Sequence, residues 1–202
     1  MTRRELLLTA VGSVSRASES PVIVPLLLII DRRARLRSDS INGFWSHIWP
    51  EALRDFARCG IQIQTRSVSG EVRRSPSGQP EFIGLEPGVI NFVVTDHIAM
   101  EWDKGRALSG VTTRYRGFHL CMIALKFAHG HQAPFLSVNT CVHELLHVLL
   151  HDVFESRPKA LYGAAREFRI DLYATRMWLF HDGSAVRQAA LSYLERVRGK
   201  PS

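Results

Sequence analysis

Residues 142–152 read VHELLHVLLHD and place three histidines and a glutamate in a largely apolar segment. Titratable side chains are seldom buried unless a partner neutralises or ligates them. His143 and His147 are four residues apart, so they lie on one face of a helix. Two imidazoles on one face can bind a zinc ion, and Glu144 can take a proton from the water on that ion. The segment therefore predicts a zinc site with His143 and His147 as ligands and Glu144 as general base.

A catalytic zinc site takes a third protein ligand, and the sequence offers two candidates. His151 continues the four-residue spacing, but each such step rises about 6 Å along the axis, beyond an ion held by His143 and His147. Glu167 starts a second pair with Asp171, again four residues apart. If the helix of this pair packs antiparallel to the first, Glu167 can complete the site. Asp171 can then accept a hydrogen bond from a ligating histidine.

The acidic pair also has a simpler interpretation, because Arg166 and Arg169 lie beside it. A helix face of mixed charges is commonly solvated and forms surface ion pairs without a metal. His151 is expected at the edge of the site or in the last helical turn, where a partial positive charge is favourable. The apolar flanks of HELLH favour a buried helix, which needs a compensating cation.

The combination of HELLH, nineteen intervening residues and E-x-x-x-D resembles the gluzincin metallopeptidases, the thermolysin-like branch of the zincins. In that family the third ligand is a glutamate on the following helix, and an acidic residue four positions later supports a ligating histidine. The resemblance implies that His143, His147 and Glu167 are the zinc ligands. It also implies that Glu144 is the general base and that Asp171 is the supporting carboxylate.

Within that branch, residues 137–180 are most similar to the small ImmA/IrrE-type metallopeptidases. Two features depart from that family: Arg169 stands where a second glutamate is frequent, and residues 178–180 read WLF instead of Leu-Met-Pro. The metzincins share the upstream layout of strands but require H-E-x-x-H-x-x-G-x-x-H. Leu150 and Val153 occupy the positions of that glycine and third histidine, so the metzincin interpretation is the weaker one.

Peptide hydrolysis also needs a donor for the developing oxyanion besides zinc. Spacing in the sequence does not choose among the candidates, which are Tyr162, Tyr173, His181, His129 and His131. The zincin resemblance implies that the substrate lies along an edge strand above the active helix. The predicted edge strand is FHLCMIAL, residues 118–125.

The elements around the motif predict an α+β fold, zincin-like, with a small mixed sheet packed on the active-site helix and a helical C-terminal half. PVIVPLLLII, residues 21–30, is too short for a membrane span, and its β-branched residues favour a buried strand. Residues 39–59 show helical spacing, with Pro50 breaking or restarting the helix and Gly60 ending it. Further strands are predicted in IQIQTRSVS, GVINFVVTDHI and FHLCMIAL, and loops in VRRSPSGQPEF and AHGHQAP.

In the C-terminal half, Ser137 is the predicted N-cap of the helix that carries HELLH. A second helix is predicted over residues 162–180, and Gly183 is expected to close it. SAVRQAALSYLERVRGK predicts a final amphipathic helix.

The composition limits the class of protein. The chain has 202 residues, of which 46% are hydrophobic and 22% charged, which fits one globular domain. The net charge is +7, and the arginines cluster densely only at Arg32, Arg33, Arg35 and Arg37. No nucleic-acid motif accompanies this cluster, so a solvated face is expected and a nucleic-acid partner is not. Three cysteines without a CxxC pair argue against a disulfide framework or a cysteine-based zinc site.

TRRELLLTAVGSVSRA, residues 2–17, resembles a twin-arginine export signal with a small-residue cleavage site at its end. Cleavage near Ala17 would leave residues 18–202 as a single mature domain outside the cytoplasm. The alternative is a basic tail that leads into an ordinary helix of a cytoplasmic protein.

These features predict a zinc-dependent peptidase that acts on peptides or proteins through a Glu144-activated, zinc-bound water. One alternative is a catalytically silent regulator or binding module on a zincin scaffold, with the arginine cluster contacting nucleic acid or a protein. Another is a metal site that serves only stability. An open coordination position would argue against the last alternative.

Overall fold

The computed structural model of the chain describes residues 20–74, 80–96, 98, 109–125, 130–133, 136–155 and 164–199. A π-helical turn, Phe44–Ile48, joins the first two helices. The other elements are, in chain order, β1 (Val22–Asp31), α1 (Ser38–Gly43), α2 (Trp49–Arg58), β2 (Ile61–Arg74), β3 (Pro80–Ile83), β4 (Ile90–Thr95), β5 (Gly110–Tyr115), β6 (Phe118–Ala124), β7 (Gly130–Ala133), β8 (Leu136–Asn139), α3 (Thr140–Leu149), α4 (His151–Glu155), α5 (Ala164–Phe180) and α6 (Ser184–Arg198).

Six of the strands form one mixed sheet in the order β3-β2-β1-β4-β6-β5. The four inner strands are parallel to one another, and the two outer strands, β3 and β5, run antiparallel to their neighbours. The strands β7 and β8 pair separately as an antiparallel two-stranded sheet. Among the described strands, β5 is therefore the edge strand next to β6.

Strand β1 lies inside the sheet, as its apolar run predicts. Leu26 and Leu28 point into the larger core cluster, which also contains residues of the helices, and Leu27 and Ile29 point into a smaller cluster on the opposite face. Pro25 is tolerated in this strand because pairing with β4 begins only at Leu26. The prediction of a buried strand over residues 21–30 is confirmed.

The helices pack against one face of this sheet. Phe56 of α2, Leu145 of α3, Ile170 of α5 and Tyr193 of α6 are all buried in the larger core cluster. Helix α3 contacts β5 and β6 directly, and the described elements from Thr140 onward are helices. The predicted mixed α+β architecture, with a sheet packed on the helix of the HELLH motif, is confirmed at that level.

Helix α3 begins later than predicted. Asn139 is its N-cap, and the Asn139 side chain accepts a hydrogen bond from the backbone N–H of Cys141 at 2.8 Å. The Asn139 amide also donates to the carbonyl oxygen of Ile48 at 2.8 Å, so tertiary contact selects this cap. Ser137 lies in β8, and its prediction as the N-cap is wrong. The helix ends at Leu149, and a turn at Leu150 separates it from α4.

Three residues were predicted to start or end helices, and the predictions for two of them are confirmed. Pro50 lies in the first turn of α2, and Gly60 follows that helix with a left-handed φ of 71°. Gly183, however, does not close α5. His181 adopts the left-handed conformation there, with φ 49°, and Gly183 is the N-cap of α6. A Cβ on Gly183 would lie 2.1 Å from the Cβ of Cys59, so this glycine permits a close approach of two segments.

The observed strands differ from two further predictions, one for the edge strand of the sheet and one for the loops. FHLCMIAL forms β6, which is an interior strand, so its prediction as the edge strand is wrong. The edge strand is β5, whose polar sequence GVTTRY is absent from the predicted strands. The segments predicted as loops contain most of β3 and all of β7. Strand order follows from long-range pairing, which the spacing of one segment does not encode.

Some predictions fall outside the described residues. The export-signal segment, residues 2–17, is one of them, and so are Tyr162 and His129. No helix in the described part of the chain combines the length and apolar character needed to cross a membrane.

Candidate metal centre

Helix α3 is buried along almost its whole length, and two titratable residues are buried with it. His143 is 5% exposed and Glu144 is 3% exposed, whereas His147 is partly buried. The apolar residues of the same helix, among them Leu145 and Leu146, fill the core against the sheet. The sequence therefore folds as an apolar helix that carries its histidines and glutamate into the protein interior.

Helix α5 packs against α3 and completes a cluster of side chains. Glu167 contacts both His143 and His147, and Asp171 contacts His143. His143, the first histidine of α3, therefore contacts Asp171, the second acidic residue of α5, as expected for two helices that run antiparallel at this contact. The structure brings together the three residues predicted as metal ligands, and they form a group that could hold a metal ion.

The three candidate donor atoms lie at the corners of a small triangle. The Nε2 atom of His143 is 2.9 Å from Oε2 of Glu167 and 3.1 Å from Nε2 of His147, which is itself 3.2 Å from that oxygen. Ligands of a tetrahedral ion bound at about 2.0–2.1 Å are about 3.3 Å apart. The donors need only small shifts to reach that spacing. Two nitrogens and one carboxylate oxygen also match the donor set of catalytic zinc sites.

Asp171 fixes the orientation of one imidazole. Its Oδ1 atom lies 2.9 Å from Nδ1 of His143, and only 17% of its side chain is exposed. When Nδ1 carries the proton and donates it to Asp171, the lone pair of Nε2 points towards Glu167 and His147. The hydrogen bond thus selects the tautomer that a metal ligand requires.

The cluster attracts positive charge. Burial opposes protonation of His143, but hydrogen bonds to Asp171 and Glu167 outweigh it and raise the pKa of His143 to about 10. Burial likewise favours the neutral form of Glu167, yet hydrogen bonds from His143 and His147 hold the pKa of Glu167 well below its usual range. A proton on His143 therefore supplies the cation that a metal ion would otherwise supply.

Glu144 is held against the edge strand. Its Oε2 atom accepts a hydrogen bond from the hydroxyl of Thr112 at 2.7 Å. A Cβ on Gly110 would lie 2.4 Å from Oε1 of Glu144, so a glycine at this position makes room for the carboxylate. Burial raises the pKa of Glu144, although His143, His147 and the Thr112 hydroxyl act in the opposite direction.

Residues on one face of β5 therefore contact Glu144 or line the cavity beside the cluster. Gly110, Thr112 and Arg114 alternate with Val111 and Tyr115, which pack with the smaller core cluster. Sequence reasoning did not single out any of the first three. The β-branched residues and the alternation of GVTTRY were the available signal for a strand, but its contact with Glu144 arises only from the tertiary fold.

A cavity of about 340 Å³ adjoins the cluster, and His147 and Glu167 form part of its wall. His151, at the start of α4, also lines this cavity and is not in the candidate metal-binding group. The described residues that line it come from β5, β6 and the helices α3, α4 and α5: Thr112, Thr113, Arg114, His119, His147, Val148, His151, Arg166 and Glu167.

The two predicted oxyanion donors whose side chains the structure describes, Tyr173 and His181, are not brought to this site. Tyr173 packs edge-on against Phe154, with ring centroids 6.4 Å apart, and does not line the cavity. His181 follows the end of α5, fourteen residues beyond Glu167, which corresponds to about 20 Å along the helix. His131 lies in β7, whose side chains are outside the described part of the structure.

Comparison of the chain with protein-family models, with curated proteins and with solved structures gives no match.

Proposed function

We propose that this protein is a zinc-dependent peptidase with a zincin-like metal centre. The observation that carries the proposal is the convergence of His143, His147 and Glu167, whose donor atoms lie 2.9–3.2 Å apart beside a cavity. Two histidines and a glutamate leave a fourth position of a tetrahedral ion for water or substrate. The hydrogen bond from His143 to Asp171 and the burial of His143 both favour a bound cation over an empty site.

A zinc ion at these three ligands would supply a Lewis acid for the peptide carbonyl and would lower the pKa of a coordinated water. Glu144 would take the proton of the attacking water and pass it to the leaving amine. Burial raises the pKa of Glu144 above its usual value, which suits a group that both accepts and returns a proton. The Thr112 hydroxyl and the space above Gly110 would fix the position of that carboxylate.

Strand β5 is the proposed docking edge for the peptide. It is the outer strand of the sheet beside α3, and it lines the cavity through Thr112, Thr113 and Arg114. An extended peptide could pair with the outer backbone groups of such a strand. Its scissile bond would then lie close to the donors on α3 and α5.

The test combines metal content with hydrolysis. We expect about one zinc per chain and cleavage of a mixed peptide library that stops with chelator and returns with zinc. Glu144→Gln should retain the metal and reduce hydrolysis at least about a hundredfold, the scale for loss of a general base. Equal hydrolysis by the variant and the original protein would show that a contaminant cleaves the library.

A second candidate is a metal-binding scaffold without hydrolytic activity. The observation that favours it is the burial of Glu144, which is 3% exposed and hydrogen-bonded to Thr112. A protein with one zinc per chain that leaves every peptide of the library intact would support this candidate over the peptidase.

A further inference from the structure

The cavity beside the metal centre is lined by cations on two walls. Arg114 extends from β5, and Arg166 lies on α5 next to Glu167. The guanidinium of Arg166 lies 5.5 Å from the ring centroid of Phe154, a contact that limits its movement at the wall. A group that enters the cavity between β5 and α5 would therefore meet two arginines.

Among the lining residues that the structure describes, Glu167 is the one that carries a carboxylate. Its Oε2 atom already contacts His143 and His147, and a metal ion would bind it in the same place. Arg114 is exposed and has no carboxylate partner among the described residues. The formal charge of the described lining residues is thus positive, and a concave site concentrates such a field on its ligand.

Arginine binds carboxylates through two parallel hydrogen bonds, which gives the pair direction as well as strength. Arg114 pairs across the strands with His119, which also lines the cavity. The volume of about 340 Å³ lies within the usual size of small-ligand sites, and it can accept a side chain or a chain end.

We propose that this cavity selects peptide substrates that carry a carboxylate near the bond held at the metal centre, and that Arg114 and Arg166 bind this carboxylate. The inference rests on the proposed peptidase function and adds the class of substrate. The carboxylate has two sources in a peptide, the side chain of Asp or Glu and the free C-terminus. Both present the same chemistry to the two guanidinium groups.

The experiment uses alanine-based hexapeptides that differ in one feature. One set carries a single Glu or Gln at each position in turn, and a second set ends in a free acid or an amide. Dissociation constants are measured with the zinc-loaded Glu144→Gln variant, which should not hydrolyse them, and kcat/KM with the original protein. If that variant fails to load zinc, the metal-free original protein takes its place in the binding assay.

We expect a preference of about tenfold or more for the charged member of a pair, the scale of a hydrogen bond between charged groups. Arg114→Gln and Arg166→Gln should each reduce this preference, and Arg114→Lys should restore only part of it. Arg198→Gln is the matched control, because Arg198 is exposed on α6 and does not line the cavity. The set that shows the preference identifies the source of the carboxylate.

Equal affinity for charged and neutral members would overturn the inference, whether or not the peptides are hydrolysed. A preference that survives both arginine substitutions would overturn it as well. Selective binding without hydrolysis would support the carboxylate site while removing the peptidase proposal. Hydrolysis without a preference for charged peptides would support the peptidase proposal and remove the carboxylate site. The two proposals can therefore be contradicted independently.

Discussion

Two clusters of opposite charges in this protein differ in their access to water. At the surface, Arg32, Arg33 and Arg73 surround Glu71, with N–O distances of 3.1, 3.6 and 2.6 Å. The side chains of these arginines are 62%, 58% and 46% exposed, whereas the side chain of His143 at the candidate metal centre is 6% exposed. Water can hydrate the arginines of the first cluster. In the second cluster it reaches Glu167, whose side chain is 53% exposed, but not His143.

The buried cluster therefore has a requirement that the surface cluster lacks. His143 and Glu144 are only 5% and 3% exposed, so a charge on either residue must be balanced by neighbouring side chains, by a proton or by a bound cation. A divalent ion would contribute more positive charge at the same place. Burial, rather than the number of charges, thus indicates where a cation is needed.

The largest expected effect is loss of metal from His147→Ala. This change removes one of three donors, and we expect the purified variant to lose most of its metal by elemental analysis. His151→Ala is the matched control, because His151 lines the same cavity outside the ligand group and should retain the metal. If His151→Ala loses the metal while Glu167→Ala keeps it, the assignment of the third ligand is wrong.

A smaller effect is expected from Asp171→Asn, which keeps a hydrogen-bond acceptor but removes its charge. Metal affinity should fall about tenfold or more, the usual scale for a residue that supports a ligand. The metal-free pKa of His143 is about 10, so at pH 7 binding must expel its proton. Affinity should therefore rise by up to about tenfold per pH unit between pH 6 and 8.

Titration calorimetry in buffers of different ionisation enthalpy measures this proton release. We expect about one proton per ion from the original protein and a smaller release from Asp171→Asn, because the pKa of His143 falls with the loss of its charged partner. Equal proton release and equal affinity in the two proteins would show that Asp171 does not act on the metal centre.

The smallest effect is expected at the surface cluster. Glu71→Gln removes the carboxylate, and water can hydrate the three arginines that remain. Thermal unfolding should be nearly unchanged, and any difference should disappear at 1 M salt, where the Debye length is about 3 Å. A large, salt-independent loss of stability would contradict the contrast between the clusters.

The sequence determined the features that depend on local spacing. Residues four apart share a helix face, so spacing alone places His143 with His147 on one face of a helix and Glu167 with Asp171 on one face of another. The apolar run of β1 likewise specified a strand buried on both faces. Pro50 and Gly60 act through their own backbone geometry, and both predictions are confirmed.

Only the tertiary structure decided which strand forms the edge and what it contacts. GVTTRY is polar because an edge strand needs no second apolar face, so its hydrophobic pattern is a weak signal for a strand. The apolar sequence of β6 is a stronger signal, and it led to the prediction of β6 as the edge strand, a position that β5 occupies. Asn139 replaces Ser137 as the helix cap because its amide also reaches Ile48, ninety-one residues away. Pairing of β5 with β6 places Thr112 and Gly110 against Glu144 and Arg114 in the lining of the cavity. Such contacts join distant segments, and no spacing within either segment encodes them.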